Sequence, residues 1–583
     1  MGTISDKLMR IINTKEDIRQ ALISKGYDVP TSIPFKEYAK MILDLPCKVD
    51  SFPDIEGIVA RYSASGLTNE QMAANPVWVD KTGNGHDLQL KNFAWKGMSG
   101  VGGYKLNWGD SSIWVNYIAQ GTFGTGEVTD NTIHITSAKT NNALFETRAS
   151  LKSVEYKVLI KGLTDDIYLR YGVFNDGKEL WTEIKNDGIY TLPSYDYDSR
   201  YNMKWKVMSQ TYPIDCNITI EQLPLYPGAL VFDGVDDYGT CDNFPILTKE
   251  KGYTVVALRQ WDQDFLNTTL TGGLLSTRNY STGEGVAFEK IESSNKGYWN
   301  LGAGGIIDFA KSPFTWQTSK QYNNVGILKG DKNHGKPLCV GCGLSGGQQC
   351  GRFAIWELVF LDHDATEEEL TKIKDYFVKT YPWLFPYQAW TVVGKTNEDE
   401  DRATIANITG NGNNLVLSNF GFIEGSGYNE EGEYAGYLVT DGVDDKVESS
   451  PFTLNKDWTI VGNWTMLSNI PSNCGIIKVS SMFLYNSLDG VTIYFVGGPI
   501  KIQSKSINAF CSDGRIYLND WTEILKPDAQ IASGGSKSSL NIASYGTNFT
   551  KMAFKNLAIY DGKNLSKDDC IKAYNYLQTL KSK

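Results

Sequence analysis

The chain contains two copies of a short acidic turn, LVFDGVDDYG at 230–239 and LVTDGVDDKV at 438–447. In each copy an apolar strand runs into Asp-Gly, a pair that favours a tight turn because glycine accepts positive φ and aspartate can bond its own backbone. Carboxylates are also the hard oxygen ligands that Ca²⁺ prefers. The turns therefore offer two candidate calcium sites, formed by Asp233, Asp236 and Asp237 and by Asp441, Asp444 and Asp445. The alternative is that Asp233 and Asp441 shape the turns while the other four carboxylates are solvated.

Aromatic side chains among polar residues form the second group that could do chemistry. Sugar faces are apolar and stack on Trp or Tyr, while neighbouring Asp and Arg side chains bond hydroxyl groups. The candidates for glycan contact lie in SYDYDSRYNMKW at 194–205, in GYWN and in FTW, and they are Tyr195, Tyr197, Tyr201, Trp205, Tyr298, Trp299 and Trp316. The alternative is that these rings lie in a core or a subunit contact, as most aromatic residues of β proteins do.

The segment HGKPLCVGCGLSGGQQC contains His334, Cys339, Cys342 and Cys350, which at first resemble a zinc set. Comparison with the second repeat places Cys339 and Cys342 on one strand, and residues three apart on a strand face opposite sides. Zinc is therefore not predicted. The nine cysteines are irregularly spread, which predicts reduced thiols.

No other catalytic pattern occurs in the chain. The four histidines have neither nucleophile-elbow nor metalloprotease spacing, and there is no P-loop or dinucleotide fingerprint. The sequence therefore predicts that the chain is not an enzyme and, apart from the candidate calcium sites, has no cofactor.

Repeated segments show how the chain is organised around the turns. TGNG at 82–85 returns at 409–412, and RFAIWELVFLDHDATEEEL at 352–370 is matched by KMAFKNLAIYDGKNLSKDD at 551–569. In both closing segments a Thr or Ser stands three residues before an acidic residue and predicts a capped helix. The repeats predict two homologous domains, 51–385 and 386–583.

An insert interrupts the first domain. Thr82 precedes Asp233 by 151 residues, whereas Thr409 precedes Asp441 by 32, so the first copy carries about 119 extra residues. The extra segment, 106–226, has seven short β-rich runs separated by turns, a pattern typical of a sandwich. The sequence thus predicts an inserted β-sandwich module at a loop where the host termini lie close together.

The order TGNG, LVFDGVDD, YTVVAL or WTIVGNW, and PLCVG or LNIAS resembles that of the laminin-G-like, concanavalin-A-like lectin and glucanase sandwiches. This resemblance implies a mainly β fold with two jelly-roll sandwiches, the inserted sandwich and a short N-terminal helical segment. It also implies carbohydrate binding. Laminarinase-type members use a Glu-x-Asp-x-Glu strand, which is absent here; the nearest acidic run is 398–401.

Residues 1–50 read as short helices whose apolar faces need a partner. The residues predicted to mediate anchoring or oligomerisation are Ile4, Leu8, Ile11, Ile12, Ile18 and Leu22. The segment resembles the helical leader of appendage proteins of tailed bacteriophages. That resemblance implies a structural virion protein, a head (capsid) fibre or tail fibre for host attachment, with capsid or tail proteins as partners. It also implies a homo-oligomer, with a trimer favoured over a dimer.

Composition excludes some other classes. The net charge of −11 argues against nucleic acid as a partner, and no apolar run is long enough for membrane insertion. The start MGTISDKLMR lacks the apolar region of a secretory signal, so we expect assembly in a host cytoplasm and release by lysis. The alternative functions are a secreted or surface glycan-binding protein of a bacterium and a polysaccharide depolymerase.

Overall fold

The computed structural model describes residues 52–580 with gaps, together with Lys15 and Arg19. The gaps are 148–155, 176–177, 193–202, 247–252, 263–264, 266–269, 278–286, 291–295, 300–304, 309–315, 318–324, 330–337, 345–347, 431–433, 468–473, 480–481, 488–489, 496–497, 503–506, 520, 526–536 and 546–547. Residues 55–583 form one compact unit and residues 1–54 another. The predicted anchoring residues Ile4, Leu8, Ile11, Ile12, Ile18 and Leu22 lie outside the described residues.

The described chain is mainly β, as predicted. Before the insert the elements are β1 Ile58–Ser63, α1 Asn69–Ala74, β2 Val77–Trp78, β3 Leu88–Lys91 and β4 Gly100–Val101. In the insert they are β5 Trp114–Asn116, β6 Gly124–Val128, β7 Thr132–Ala138, β8 Phe145–Thr147, β9 Tyr156–Lys161, β10 Tyr168–Asn175, β11 Lys178–Ile184, β12 Gly188–Leu192, β13 Met203–Met208 and β14 Ile214–Gln222.

The first sandwich resumes after the insert. Its further elements are β15 Leu230–Asp233, β16 Tyr238–Cys241, β17 Thr254–Trp261, β18 Gly272–Ser276, β19 Ala287–Lys290, β20 Lys296–Trp299, β21 Gly305–Asp308, β22 Trp316–Gln317, β23 Val325–Lys329, β24 Leu338–Val340, β25 Cys342–Leu344, β26 Gln348–Cys350, β27 Arg352–Leu361, α2 Glu367–Thr380 and a 3-10 turn Pro382–Leu384.

The second sandwich completes the chain. Its elements are β28 Gln388–Thr391, β29 Thr404–Ile405, β30 Leu415–Ser418, β31 Gly427–Asn429, β32 Tyr437–Val439, β33 Lys446–Ser449, β34 Phe452–Thr453, β35 Trp458–Met466, β36 Cys474–Val479, β37 Met482–Ser487, β38 Gly490–Phe495, β39 Gly498–Ile502, β40 Ile507–Cys511, β41 Arg515–Leu518, β42 Glu523–Leu525, β43 Lys537–Ser538, β44 Asn541–Ile542, β45 Ser544–Tyr545, β46 Asn548–Phe549, β47 Met552–Asp561 and α3 Lys567–Leu577.

Two sheets enclose the core of the first sandwich. One has the order β22-β23-β17-β27-β15-β4, with β1 also paired to β27, and the other runs β2-β3-β16-β24-β18-β19-β20-β21, with β25 and β26 at its side. Strand β3 alternates buried Leu88 and Leu90 with exposed residues, as a strand with one solvent face should. Strand β27 is almost wholly buried, and both α2 and α3 contact it: the Tyr376 hydroxyl of α2 bonds Glu357, and Tyr576 of α3 lies edge-on to Trp356.

The insert is a sandwich of its own. Its sheets have the orders β11-β10-β13-β8-β5 and β12-β9-β14-β7-β6, and no insert strand pairs with a host strand among the described residues. Gln222 joins the two ends of the insert, because its amide bonds both the N–H and the carbonyl of Leu106, at 2.8 and 2.9 Å. The host termini therefore lie close together, as an inserted module requires.

The second sandwich repeats the plan of the first. One sheet runs β31-β32-β47-β35-β40-β41-β42, with β28 also paired to β47, and the other runs β29-β30-β33-β44-β36-β37-β38-β39. Both predicted helix caps are present: Thr366 forms a capping box with Glu369, and the Ser566 side chain accepts from the Asp569 N–H. The exact domain boundaries stay predictions.

Side chains of the second sandwich contact both of the other modules within residues 55–583. The Tyr560 hydroxyl of the second sandwich donates to the Trp383 carbonyl at 2.8 Å, and the Lys157 ammonium of the insert lies 4.2 Å from the ring centre of Tyr574. None of the helices among the described residues is long and apolar enough to cross a membrane.

Candidate functional site

The first acidic turn is closed by its own aspartates. The Asp233 carboxylate accepts from the backbone N–H of Val235 at 2.7 Å and of Asp236 at 3.4 Å. Asp237 points inward, where it accepts from the Asp233 N–H at 3.0 Å and from the Ser99 hydroxyl at 2.9 Å. The tip residue Val235 is 70% exposed.

The second turn repeats these contacts one for one. Asp441 accepts from the N–H of Val443 at 2.7 Å and of Asp444 at 3.3 Å, while Asp445 accepts from the Asp441 N–H at 2.8 Å and from the Ser426 hydroxyl at 3.0 Å. The same hydrogen bonds thus fold both copies of DGVDD.

The interpretation of four solvated carboxylates is wrong for Asp237 and Asp445, which are fully buried. Burial, together with the negative charge of Asp233, raises the pKa of Asp237 to about 8. Burial raises the pKa of Asp445 to about 6, against hydrogen bonds from the Asp441 backbone and Ser426. Both groups are easier to protonate than an ordinary aspartate.

The carboxylates of each turn lie within 4.8 Å of one another, close enough to share a cation. Ca²⁺ needs six to eight oxygen ligands. In the first turn the hydrogen bonds already engage both oxygens of Asp237 and one of Asp233. The three aspartates alone therefore supply an incomplete ligand set, and calcium binding by either turn stays a prediction.

A cleft of about 530 Å³ lies between the first sandwich and the insert. The residues of its lining that carry aromatic, charged or amide groups are Asn69, Glu70, Trp95, Lys96 and Tyr104 before the insert strands, and Asp130 and Asn131 from the insert. Trp95, Tyr104 and Asp130 are each half-buried, so their side chains belong to the wall of the cleft and still reach solvent.

A tight loop before β4 holds Trp95. Its indole stacks on Phe93, with ring centres 4.7 Å apart, and its backbone has φ +56°, in the left-handed region that non-glycine residues seldom adopt. The Lys96 and Ser99 backbones bond each other on the C-terminal side, and the Tyr104 N–H donates to the Gly97 carbonyl at 2.6 Å. The loop therefore fixes the position of the indole at the cleft.

The insert contributes a turn between β6 and β7. The Thr129 N–H donates to the Thr132 carbonyl at 2.8 Å, and the carbonyls of Asp130 and Asn131 accept from the N–H groups of Trp108 and Gln222, each at 2.8 Å. The backbone of the turn is thus tied to the rest of the insert. All four residues of the turn, 129–132, line the cleft.

Tyr104 sits where the two walls meet. Burial raises the pKa of its hydroxyl, and a hydrogen bond with Asn131 opposes that shift. At neutral pH the hydroxyl is therefore a neutral donor and acceptor. Two aromatic rings beside hydroxyl, amide and carboxylate groups can stack on the apolar face of a sugar and bond its hydroxyl groups.

The structure places the predicted glycan residues elsewhere. The prediction for Trp205 is corrected: its ring is 1% exposed and packs 4.8 Å from Tyr171 in the insert core, so it has no free face for a ligand. Tyr298 and Trp299 lie on β20 and Trp316 on β22, but their side chains are outside the described part of the structure. Tyr195, Tyr197 and Tyr201 lie in the gap 193–202.

The expected geometry of Cys339 and Cys342 is wrong. Gly341, with φ +95°, ends β24 and starts β25, so the two residues are not on one continuous strand. Their side chains meet and form a disulfide, which also corrects the prediction of reduced thiols for this pair. Cys350 lies outside the disulfide and is buried beside it, and burial raises the pKa of its thiol to about 12.

Sequence reasoning missed Trp95 and Tyr104. The signal for Trp95 was in the repeat, because NFAWKG at 92–97 aligns with NFGFIEG at 419–425 and places Trp95 against Phe422. The contribution of Asp130 and Asn131 has no such signal, because it depends on how the insert packs on its host.

No protein-family model matches the chain, and no curated protein matches it. Among solved structures, it is similar to a Trypanosoma rangeli sialidase in complex with the inhibitor DANA, at 9% identity over 78% of this chain and 83% of that one, with a TM-score of 0.25. It is also similar to the binding domain of botulinum neurotoxin serotype D, at 10% identity over 58% of this chain and 88% of that one, with a TM-score of 0.24.

These matches correct one prediction from the sequence. We predicted that the chain is not an enzyme, but the first solved structures in the comparison are sialidases, which contradicts that prediction. At such low identity and TM-score the matches carry no argument for any particular activity, and we assign none from them. The mainly β architecture rests on the sheets described above.

Proposed function

We propose that the chain is a glycan-binding attachment protein and that the cleft beside Trp95 is its sugar site. The observation that carries the proposal is the half-buried Trp95 indole, which stacks on Phe93 and lines a cleft of about 530 Å³ together with Tyr104 and the Asp130–Asn131 turn. That volume falls within the range of pockets that hold small ligands, about 300–1,000 Å³. The rings provide a stacking surface, and the polar side chains provide hydroxyl partners.

We further propose that the protein is a subunit of a bacteriophage head or tail fibre. The support is the resemblance of residues 1–50 to the leaders of phage appendage proteins. In this role Ile4, Leu8, Ile11, Ile12, Ile18 and Leu22 would join three copies to one another or to the particle. A trimer would display several weak sugar sites together, and linked sites gain avidity that one site lacks.

The sugar-binding proposal is tested by screening the labelled full-length protein on a glycan microarray that includes bacterial surface polysaccharides and mucin glycans. We expect a restricted set of glycans to retain the protein and free sugar of the same class to compete. Absence of binding across the array would contradict the proposed function.

The assembly proposal is tested by light scattering on the full-length protein. We expect the mass of three copies for the native chain and of one copy for a Leu8→Asp, Ile12→Asp double variant, because a charge on each apolar face disfavours burial. A Lys7→Gln variant, changed beside the same face, is the control and should keep the native mass. A monomeric native chain would contradict this part of the proposal.

A further inference from the structure

The charged residues that line the cleft predict which sugars it binds. This inference rests on the proposed sugar site. Glu70 and Asp130 contribute two carboxylates, and Lys96 contributes one ammonium group. Across the described ranges of the chain, none of the three side chains forms a hydrogen bond or ion pair within the protein. The Lys96 ammonium acts electrostatically on the Asp110 carboxylate, so the charges left for a ligand are mainly those of Glu70 and Asp130.

The three charged groups differ in how firmly the structure holds them. Glu70 follows the helix cap Thr68 in the first turn of α1, and Asp130 is half-buried in the tied turn of the insert. Lys96 is exposed and carries its charge at the end of a long, flexible stem. Glu70 is exposed as well, so the half-buried carboxylate of Asp130 is the least mobile charge of the lining, and it is negative.

Further negative charge surrounds this lining. Glu221, near the end of β14, acts on the Tyr104 hydroxyl together with Glu70. The whole chain carries a net charge of −11. A carboxylate brought into the cleft would meet like charge on both walls, and in a partly desolvated cleft that repulsion is stronger than in bulk water.

The same carboxylates favour neutral sugars. A carboxylate oxygen accepts hydrogen bonds from sugar hydroxyl groups, and such charge-assisted bonds are roughly twice as strong as neutral ones. We propose that the cleft binds neutral hexopyranose residues and discriminates against sugars that carry a carboxylate, the uronic and sialic acids. Glu70 and Asp130 are the specificity-determining residues.

The test compares ligands that differ only in charge. Binding of the full-length protein is measured by calorimetry to glucose- and galactose-terminated oligosaccharides and to their glucuronic- and galacturonic-acid counterparts, at low salt. We expect at least one neutral ligand to bind about tenfold or more tightly than its acidic counterpart. Added salt should reduce this ratio, because it screens the repulsion.

The variants assign the effect to the cleft. Glu70→Gln with Asp130→Asn should reduce the neutral-to-acidic ratio by about tenfold, mainly by strengthening acidic-sugar binding. Glu398 occupies the position of Glu70 in the second sandwich, within the repeated Thr-Asn-Glu at 68–70 and 396–398, so Glu398→Gln is the matched control and should leave the ratio unchanged. Among the described residues neither Glu70 nor Asp130 has a side-chain hydrogen-bond partner, so we expect the melting temperature of the double variant to stay close to that of the native chain.

Two outcomes would overturn the inference. They are tighter binding of the acidic counterparts by the native chain, and an unchanged ratio in the double variant. Both leave the proposed function standing, because a sugar is still bound. If no neutral or acidic ligand binds, the proposed function itself fails, and the selectivity fails with it.

Discussion

The two sandwiches use the same hydrogen bonds at equivalent positions. Asp80 accepts from the Arg61 N–H at 3.0 Å, and Asn407 accepts from the Ala389 N–H at 3.4 Å. Asn69 and Asn397 each bond both backbone groups of one residue on a later strand, Val101 on β4 in one case and Tyr428 on β31 in the other. Bonds that recur in both copies serve the fold, because they persist whether or not an insert is present.

The two sandwiches differ in the surroundings of one aromatic residue, which lies on the loop before β4 in the first and before β31 in the second. Trp95 and Phe422 have similar backbone angles, φ +56° and +50°. The Phe422 ring is covered by the Arg402 guanidinium, 5.1 Å from the ring centre, whereas Trp95 lines a cleft closed by the insert. The comparison teaches that the insert turns a loop shared by both sandwiches into a candidate binding site.

The largest expected difference in stability lies between Glu357 and its equivalent, Asn556. Glu357 is fully buried, 3.2 Å from Arg61 and 2.7 Å from the Tyr381 hydroxyl, whereas the partners of Asn556 among the described residues are the neutral Leu577 carbonyl and Gln578 amide. Glu357→Ala removes the carboxylate that neutralises a buried guanidinium and should lower the free energy of unfolding by about 3–5 kcal/mol. Asn556→Ala should cost about 1–3 kcal/mol.

Denaturant unfolding followed by hydrogen exchange in each sandwich measures both losses separately. An equal loss of unfolding free energy in the two variants would contradict the expected difference, because it would mean that the buried charge pair stabilises the fold no more than a neutral hydrogen bond.

The next difference concerns pH. A carboxyl whose pKa is raised in the folded state stabilises the fold below its ordinary pKa, and that contribution is lost as the pH rises through the folded value. As the pH rises, this loss of stability is complete near pH 6 for Asp445 and near pH 8 for Asp237. Between pH 6 and 8 we therefore expect the first sandwich to lose stability, and Asp237→Asn to reduce that loss while Asp445→Asn does not.

Melting temperatures of the three proteins at pH 6 and pH 8 test this difference. The pKa of His363, also in the first sandwich, is raised as well: partial burial lowers it, but contacts with Asp362 and Glu369 outweigh the burial. The stability that His363 contributes is therefore also lost as the pH rises. We thus expect the melting temperature of Asp237→Asn to keep some dependence on pH. Identical slopes in the native chain and both variants would contradict the assignment to Asp237.

The smallest expected difference lies at the helix caps. Thr366 forms both bonds of a capping box with Glu369, whereas Ser566 caps α3 through its own side chain. Thr366→Ala and Ser566→Ala should each cost about 1 kcal/mol, within the usual range of about 0.5–2 kcal/mol, with the larger loss at Thr366. Hydrogen exchange of the first helical turn measures both, and exchange unchanged in either variant would contradict the capping role.

Much of the fold could be predicted from the sequence because its signals are local. The Asp-Gly turns, the helix caps at Thr366 and Ser566 and the period-two alternation of β3 involve residues close together in the chain. Their repetition also separated the insert from its host. Features that depend only on residues close together in the chain can be predicted from the sequence alone.

The cleft and the disulfide could not be predicted because they depend on tertiary placement. Asp130 reaches the cleft only because the insert packs on the first sandwich. No pattern in the sequence around Asp130 predicts that Trp95 lies near it. Cys339 and Cys342 meet because Gly341 breaks a strand that the apolar pattern presents as continuous. Trp205 fits a sugar-binding pattern in sequence, yet it completes a core.

The most direct test of the central claim is the sugar affinity of Trp95→Ala beside Phe422→Ala, each measured by calorimetry on the full-length protein with one array-selected glycan. Both changes remove an aromatic ring from the same loop of the repeat, and only Trp95 lines the cleft. We predict that Trp95→Ala weakens binding about tenfold or more, as loss of a stacking ring should, and that Phe422→Ala leaves the affinity within about twofold. Equal losses in both variants, or full affinity in Trp95→Ala, would contradict the account.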